Sequence, residues 1–169
     1  MTLLRRIGLG VVLTVLLAAC SGQSNEPLLP DIVYGQDVCA ACGMIISEAR
    51  FAAATLLQNG EIRKFESIGD MVIYQMDHPD QQVQAWFVHD YASESWIRAE
   101  TAYYVVSDQV HSPMLPGVAA FENQMTAREL ATTLGVNVLA FDDMRATIHL
   151  VVHGKMENNK TLSLSGDPI

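Results

Sequence analysis

Cys39 and Cys42 lie in the stretch Val38-Cys-Ala-Ala-Cys-Gly-Met-Ile-Ile46, and they are the residues of this chain best equipped for chemistry. Two cysteines three apart suit a redox dithiol, half of a zinc site, or a clamp for a soft cation. A dithiol exchanger places its attacking cysteine at a helix N-terminus within a βαβ pattern. Here Gly43 follows the second cysteine and no helix period starts at the pair, so exchange fits poorly, although a plain Cys39–Cys42 disulfide stays open. A structural zinc site needs four nitrogen or sulfur ligands, usually as two spaced pairs. The only second pair is His149 and His153, far along the chain. Thiolate and thioether donors select Cu(I), and Cys42-Gly43-Met44 offers one of each across a glycine that lets the backbone bend. Met114 in Ser-Pro-Met-Leu-Pro-Gly117 is a second thioether, framed by prolines where no helix or strand period gives it a place to pack. Packing is the competing reading for both: Met44 could join Ile45 and Ile46 in a core, and Met114 could tuck beneath a proline.

The elements around these residues set where they work. Arg5 and Arg6 precede an apolar run from Ile7 to Leu17, the pattern of a secretory signal and too short for a membrane span. The run ends in Leu-Ala-Ala-Cys20, which resembles a bacterial lipobox, so Cys20 is expected to be lipidated and residues 1–19 removed. Ser21 after the cysteine suggests sorting to the outer membrane, with the protein on its periplasmic face. The chain has 169 residues and a formal charge of −9, and loss of the two arginines makes it more acidic. An acidic chain on a lipid anchor is a poor nucleic-acid binder. With Cys20 consumed, Cys39 and Cys42 are the remaining thiols of three cysteines, so at most one short bridge is possible.

Residues 20–36 read as a tether. Residues 37–92 hold the motif loop and a first ββαβ unit: strands Phe51 to Leu57 and Glu61 to Glu66 about the turn Asn59-Gly60, a helix over 68–76 opened by Ser67 and Asp70 as a capping box, and a strand Val83 to Val88. Residues 93–145 repeat the order, with strands at 102–106 and 118–121, a helix whose capping box is Thr126 with Glu129, Gly135 as its C-cap glycine, and a strand from Val136 to Phe141. The expected class is α+β, two tandem small ββαβ units. Residues 146–169 are expected to hold an added strand, Thr147 to Val152, and a loose polar tail.

These residues together resemble the NosL family of copper chaperones: the lipobox, Cys42-Gly-Met44, "KFESIGDM" at 64–71, "ESWIRAETAYYVV" at 94–106 and "SPMLPGVAAF" at 112–121. The likeness runs to about residue 145. It implies a fold of two ββαβ units in an outer-membrane lipoprotein that delivers Cu(I) to nitrous oxide reductase, alongside the ABC transporter of that enzyme's maturation system. It implies Cys42 and Met114 as metal ligands, with Met44 next. Cys39 stands as an auxiliary ligand or redox partner, and His111, three residues before Met114, as a nitrogen candidate. His89 reads as structural. No covalent bond of a substrate changes in such a function, so the chain does not read as an enzyme. A thiol-redox lipoprotein using Cys39 and Cys42, or one that stores or senses copper, is the alternative.

Overall fold

Asn59-Gly60 turns the chain back on itself between β1 (Ala53–Leu57) and β2 (Ile62–Phe65). Gly60 takes the left-handed φ of +84° that this turn demands, and Asn59 Oδ1 accepts from the Glu61 N–H at 3.0 Å. The computed structural model describes residues 29–114 and 116–165, so the signal-type segment and Cys20 lie outside the described residues. After β2 comes α1 (Ile68–Asp77), which ends just ahead of Pro79. β3 (Val83–His89) then pairs antiparallel with the other side of β1. The short strand β4 (Trp96–Arg98) adds to β3, giving the order β2-β1-β3-β4. The first sheet thus reaches past residue 92, where the first unit was expected to close.

A second sheet is built from β5 (Tyr103–Val106), β6 (Val118–Phe121) and β7 (Val138–Leu139), in the order β6-β5-β7, with α2 (Gln124–Leu134) between β6 and β7. In both sheets the first strand is central, its hairpin partner lies on one side, and the strand after the helix lies on the other. The fold is α+β. The two sheets share one core: Phe65, Ile68, Met71 and Val88 pack with Tyr104, Val118 and Ala120, and Cys39 belongs to the same cluster. Asp90 ties them at the edge by accepting from the Glu122 N–H at 2.9 Å, while the Tyr91 N–H donates to Ala120 O at 2.7 Å.

Three local expectations change. The second helix begins at Gln124 with Asn123 as N-cap, its Oδ1 accepting from the Met125 and Thr126 N–H groups at 2.8 and 3.4 Å. Asparagine serves as well as threonine there and lies three residues earlier. Gly135 does close that helix, at φ +69°. The last strand of the second sheet is only Val138–Leu139, because Phe141 already starts α3 (Phe141–Ser165). The strand expected at Thr147 to Val152, and the expected tail as far as Ser165, are therefore helix, and residues 166–169 lie outside the described residues. Over six residues, Thr147 to Val152 has strand-like β-branched composition. The longer spacing of Phe141, Met144, Ile148 and Val152 is that of a helix face, and Met144 and Ile148 are fully buried. Burial of that face overrides local strand propensity.

Candidate metal centre

The motif forms a tight loop closed by an antiparallel bridge between Val38 and Ile45. Within it the Cys39 N–H donates to Met44 O at 2.8 Å, and the Gly43 N–H to Cys39 O at 3.0 Å. Gly43 makes the reversal at φ +73°, where a side chain would be strained. The loop docks on the outer edge of β2: the Ala40 N–H donates to Lys64 O at 2.9 Å, and Lys64 Nζ meets Asp37 Oδ2 at 2.7 Å. This fixes the two sulfurs differently. Cys39 is buried in the shared core and Cys42 is exposed, with the Cys42 N–H directed at Cys39 Sγ, 3.4 Å away.

Asp70 completes the cluster. It sits in the first turn of α1, where its N–H donates to Ser67 Oγ and the Ser67 hydroxyl donates to its Oδ2, both at 3.0 Å. That exchange fixes a carboxylate only 3% exposed. Cys42 Sγ lies 3.7 Å from the same Oδ2, and the donor atoms of Cys39, Cys42 and Asp70 all lie within 4.8 Å of one another. The crowding shapes the protonation of Cys42 and Asp70. Although Cys42 is exposed as a residue, its sulfur leans on two buried neighbours. That local burial pushes its thiol up to about 12, with the Cys39 contact and the Asp70 charge adding and a bond from the Met44 N–H opposing. Burial likewise raises the Asp70 carboxyl, against the hydrogen bonds it accepts from Ser67, Cys42 and Cys39. Burial thus opposes the charged forms of Cys42 and Asp70, a cost that a bound cation would offset.

A cavity of about 450 Å³ opens beside it, and Cys42, Asp70, Ile73, Tyr74, His78 and Met114 all line it. Met114 arrives on the loop joining β5 to β6. The Ser107 N–H closes that loop on Gly117 O at 3.0 Å. A β-carbon on Gly117 would sit 2.0 Å from Val110 O, so the closure tolerates only glycine. Pro116 O lies 3.6 Å from where a β-carbon on Gly69 would stand, so the loop rests on the first turn of α1. In this way residues 42 and 114, distant in sequence, face one space.

The remaining expected site residues fall elsewhere. The Met44 side chain is 40% exposed and is not among those lining this cavity. His111, also exposed, lines a different cavity with Arg50, Tyr91 and Glu94. His89 is buried and structural: its Nδ1 lies 3.0 Å from Ala52 O and its Nε2 3.1 Å from the Tyr34 hydroxyl, and burial lowers its affinity for a proton. Sequence reasoning missed Asp70 and His78. Asp70 was visible only as a capping residue, a role it also fills. His78, whose Nδ1 lies 2.8 Å from Tyr74 O, sits at the helix end before a proline, with no spacing that ties it to the cysteines.

Fold and donor set together define a small α+β protein that gathers thiol, thioether and carboxylate donors around a surface cavity, a soft-cation site in its chemistry. The NosL family model matches residues 32–149. The copper-binding lipoprotein NosL of Stutzerimonas stutzeri is 30% identical over 159 residues, covering 85% of this chain and 84% of that protein. The chain belongs to the NosL family. The crystal structure of the copper chaperone NosL from Shewanella denitrificans shares the fold, with a TM-score of 0.62 at 22% identity over 69% of this chain and 95% of that one. The solution structure of the apo-NosL protein from Achromobacter cycloclastes overlaps less, with a TM-score of 0.42 at 24% identity over 54% and 82% of the two chains.

Proposed function

We propose that the protein is a lipid-anchored periplasmic chaperone that carries one Cu(I) and hands it to nitrous oxide reductase while that enzyme's metal centre is assembled. The observation that carries this reading is the shared cavity of Cys42 and Met114, with Asp70 at its wall and the Cys39 sulfur within 4.8 Å of the Cys42 and Asp70 donor atoms. Cys42 supplies the charged thiolate, Met114 the thioether and Cys39 the next sulfur, while Asp70 steadies the cation by charge. Cu(I) accepts few ligands, so a site of this kind grips the ion yet leaves room for a donor from an acceptor protein. The copper named for two relatives, and the lipoprotein named for one, agree with this reading. The anchor is the lipid on Cys20, and the location is the periplasmic face of the outer membrane. The ABC transporter of the maturation system is the neighbouring partner, and no bond of a substrate is made or broken.

Titration of the reduced protein against a Cu(I) chelator tests the site. Cys42→Ser is expected to abolish tight binding and Met114→Ala to weaken it about tenfold, roughly the loss of one good ligand contact. Unchanged affinity in Cys42→Ser, or equal preference for Zn(II), would overturn the proposal. Activation of apo-nitrous oxide reductase by the loaded protein tests delivery, and its failure would favour copper storage. The redox alternative is weakened by the Cys42 thiol itself. A group pushed up to about 12 presents little thiolate near neutral pH, and the thiolate is the attacking species.

A further inference from the structure

We infer a second metal site on α3, in which His149 and His153 chelate one divalent cation, Cu(II) in preference to Zn(II) or Ni(II). The inference follows from this segment being a helix and not the strand that its composition suggests. In a strand, residues four apart stand roughly 13 Å from each other. On a helix they lie one turn apart on one face. The His149 and His153 ring centroids are 4.2 Å apart with the planes at 45°. Two imidazole nitrogens each about 2.1 Å from a metal and at right angles to one another lie about 3 Å apart, so small side-chain rotations bring both rings onto a single ion.

Among the described residues the face is free to bind. Met144 and Ile148 turn the opposite side of α3 into the core, and both histidines are exposed. Arg145, one turn before His149, does not crowd the pair. Its guanidinium meets Asp142 Oδ1 at 3.4 Å and lies over the rings of Trp86 and Phe141. Paired histidines at this spacing on a helix are a recognised divalent-metal arrangement. Imidazole ligands with water in the remaining positions suit tetragonal Cu(II), which also heads the stability order for divalent ions. The site differs in kind from the thiolate cavity, which selects the reduced ion. One chain would thus carry separate docking points for copper in two oxidation states.

The test uses the full chain carrying Cys39→Ser and Cys42→Ser, so that thiols cannot reduce the metal. Cu(II) alone is titrated in competition with a chelator, and bound nitrogens are counted by electron paramagnetic resonance. The expected result is a two-nitrogen signal and an affinity that falls at least tenfold in His149→Ala or in His153→Ala, with little further loss in the double variant, because one imidazole is no chelate. A spacing control keeps the histidine count: His153→Ala with Val151→His places the second ring off the face, and it should bind no better than His153→Ala alone. Cu(II) binding undiminished in the double variant, or restored in the spacing control, would overturn the site. Cu(I) affinity of the otherwise wild-type chain should be the same with and without the two histidines, and a parallel loss there would show that the two sites are not separate.

Discussion

Copper loading should depend on pH far into the alkaline range. Each Cu(I) that binds Cys42 displaces the thiol proton, so below the thiol's own pKa affinity rises tenfold per pH unit. With the thiol pushed up to about 12 by burial, Cys39 and Asp70, that rise is expected to persist from pH 6.5 to pH 9.5. Over this interval it amounts to about a thousandfold, or about 4 kcal/mol at 1.36 kcal/mol per tenfold step. An ordinary cysteine, half-ionised near pH 8.5, would flatten within the same window and gain less than about twofold between pH 8.5 and 9.5. The assay is anaerobic competition against a Cu(I) chelator at half-unit pH steps, corrected for the chelator's own protonation. A slope near one that continues past pH 9 supports the crowded thiol. A plateau beginning near pH 8.5 would refute the electrostatic description of the cluster.

Asp70→Asn should move stability and function in opposite directions. Burial raises the folded carboxyl above its unfolded value, so the fold binds protons more readily there, gains stability as pH falls through the acid range, and carries an unfavourable charge at neutral pH. Calorimetry at pH 7 should find the variant at least as stable as the parent, whereas chelator competition should find Cu(I) bound about tenfold more weakly through loss of the nearby charge. Gly117→Ala, which sets a β-carbon against Val110 O, should cost more than about 2 kcal/mol in urea unfolding and weaken Cu(I) binding by displacing Met114. Gly135→Ala, with open space around it at φ +69°, should cost about 1–2 kcal/mol and leave binding intact. Cys20→Ala should remove fatty-acid labelling, and a normally labelled variant would sink the anchor assignment.

Legibility in the sequence followed the range of the interaction. The Asn59-Gly60 hairpin, the Ser67 cap and the Gly135 stop are settled by neighbours, and each was readable. The Asn123 cap is ambiguous in the sequence because a second plausible cap, Thr126, lies within one turn of it. In α3, six residues of strand-like composition, Thr147 to Val152, mask a helix period that shows only over twelve residues. Cys42 and Met114 were legible as soft donors from their types and their loop settings. What brings Asp70 beside Cys42 is the seating of the motif loop on the edge of β2 next to the first turn of α1, and no sequence spacing encodes that contact. His78 joins the same wall through the helix that Asp70 begins.

On the proposed reading, the separation of Cys42 from Met114 along the chain, closed only by folding, would couple cargo to chain lifetime. An unfolded chain keeps its Cys39–Cys42 pair but lacks the opposing thioether and the positioned carboxylate, so it holds copper less well than the native state. A ligand that prefers the native state adds RT ln(1 + [L]/Kd) to stability, about 2.7 kcal/mol at a hundredfold excess over Kd, less whatever affinity the unfolded chain retains. A full carrier would then open less often than an empty one and offer proteases fewer chances to cut it. Idle copies would be thinned by turnover when copper is scarce and spared when it is plentiful, so that the abundance of the carrier tracks supply without a dedicated sensor.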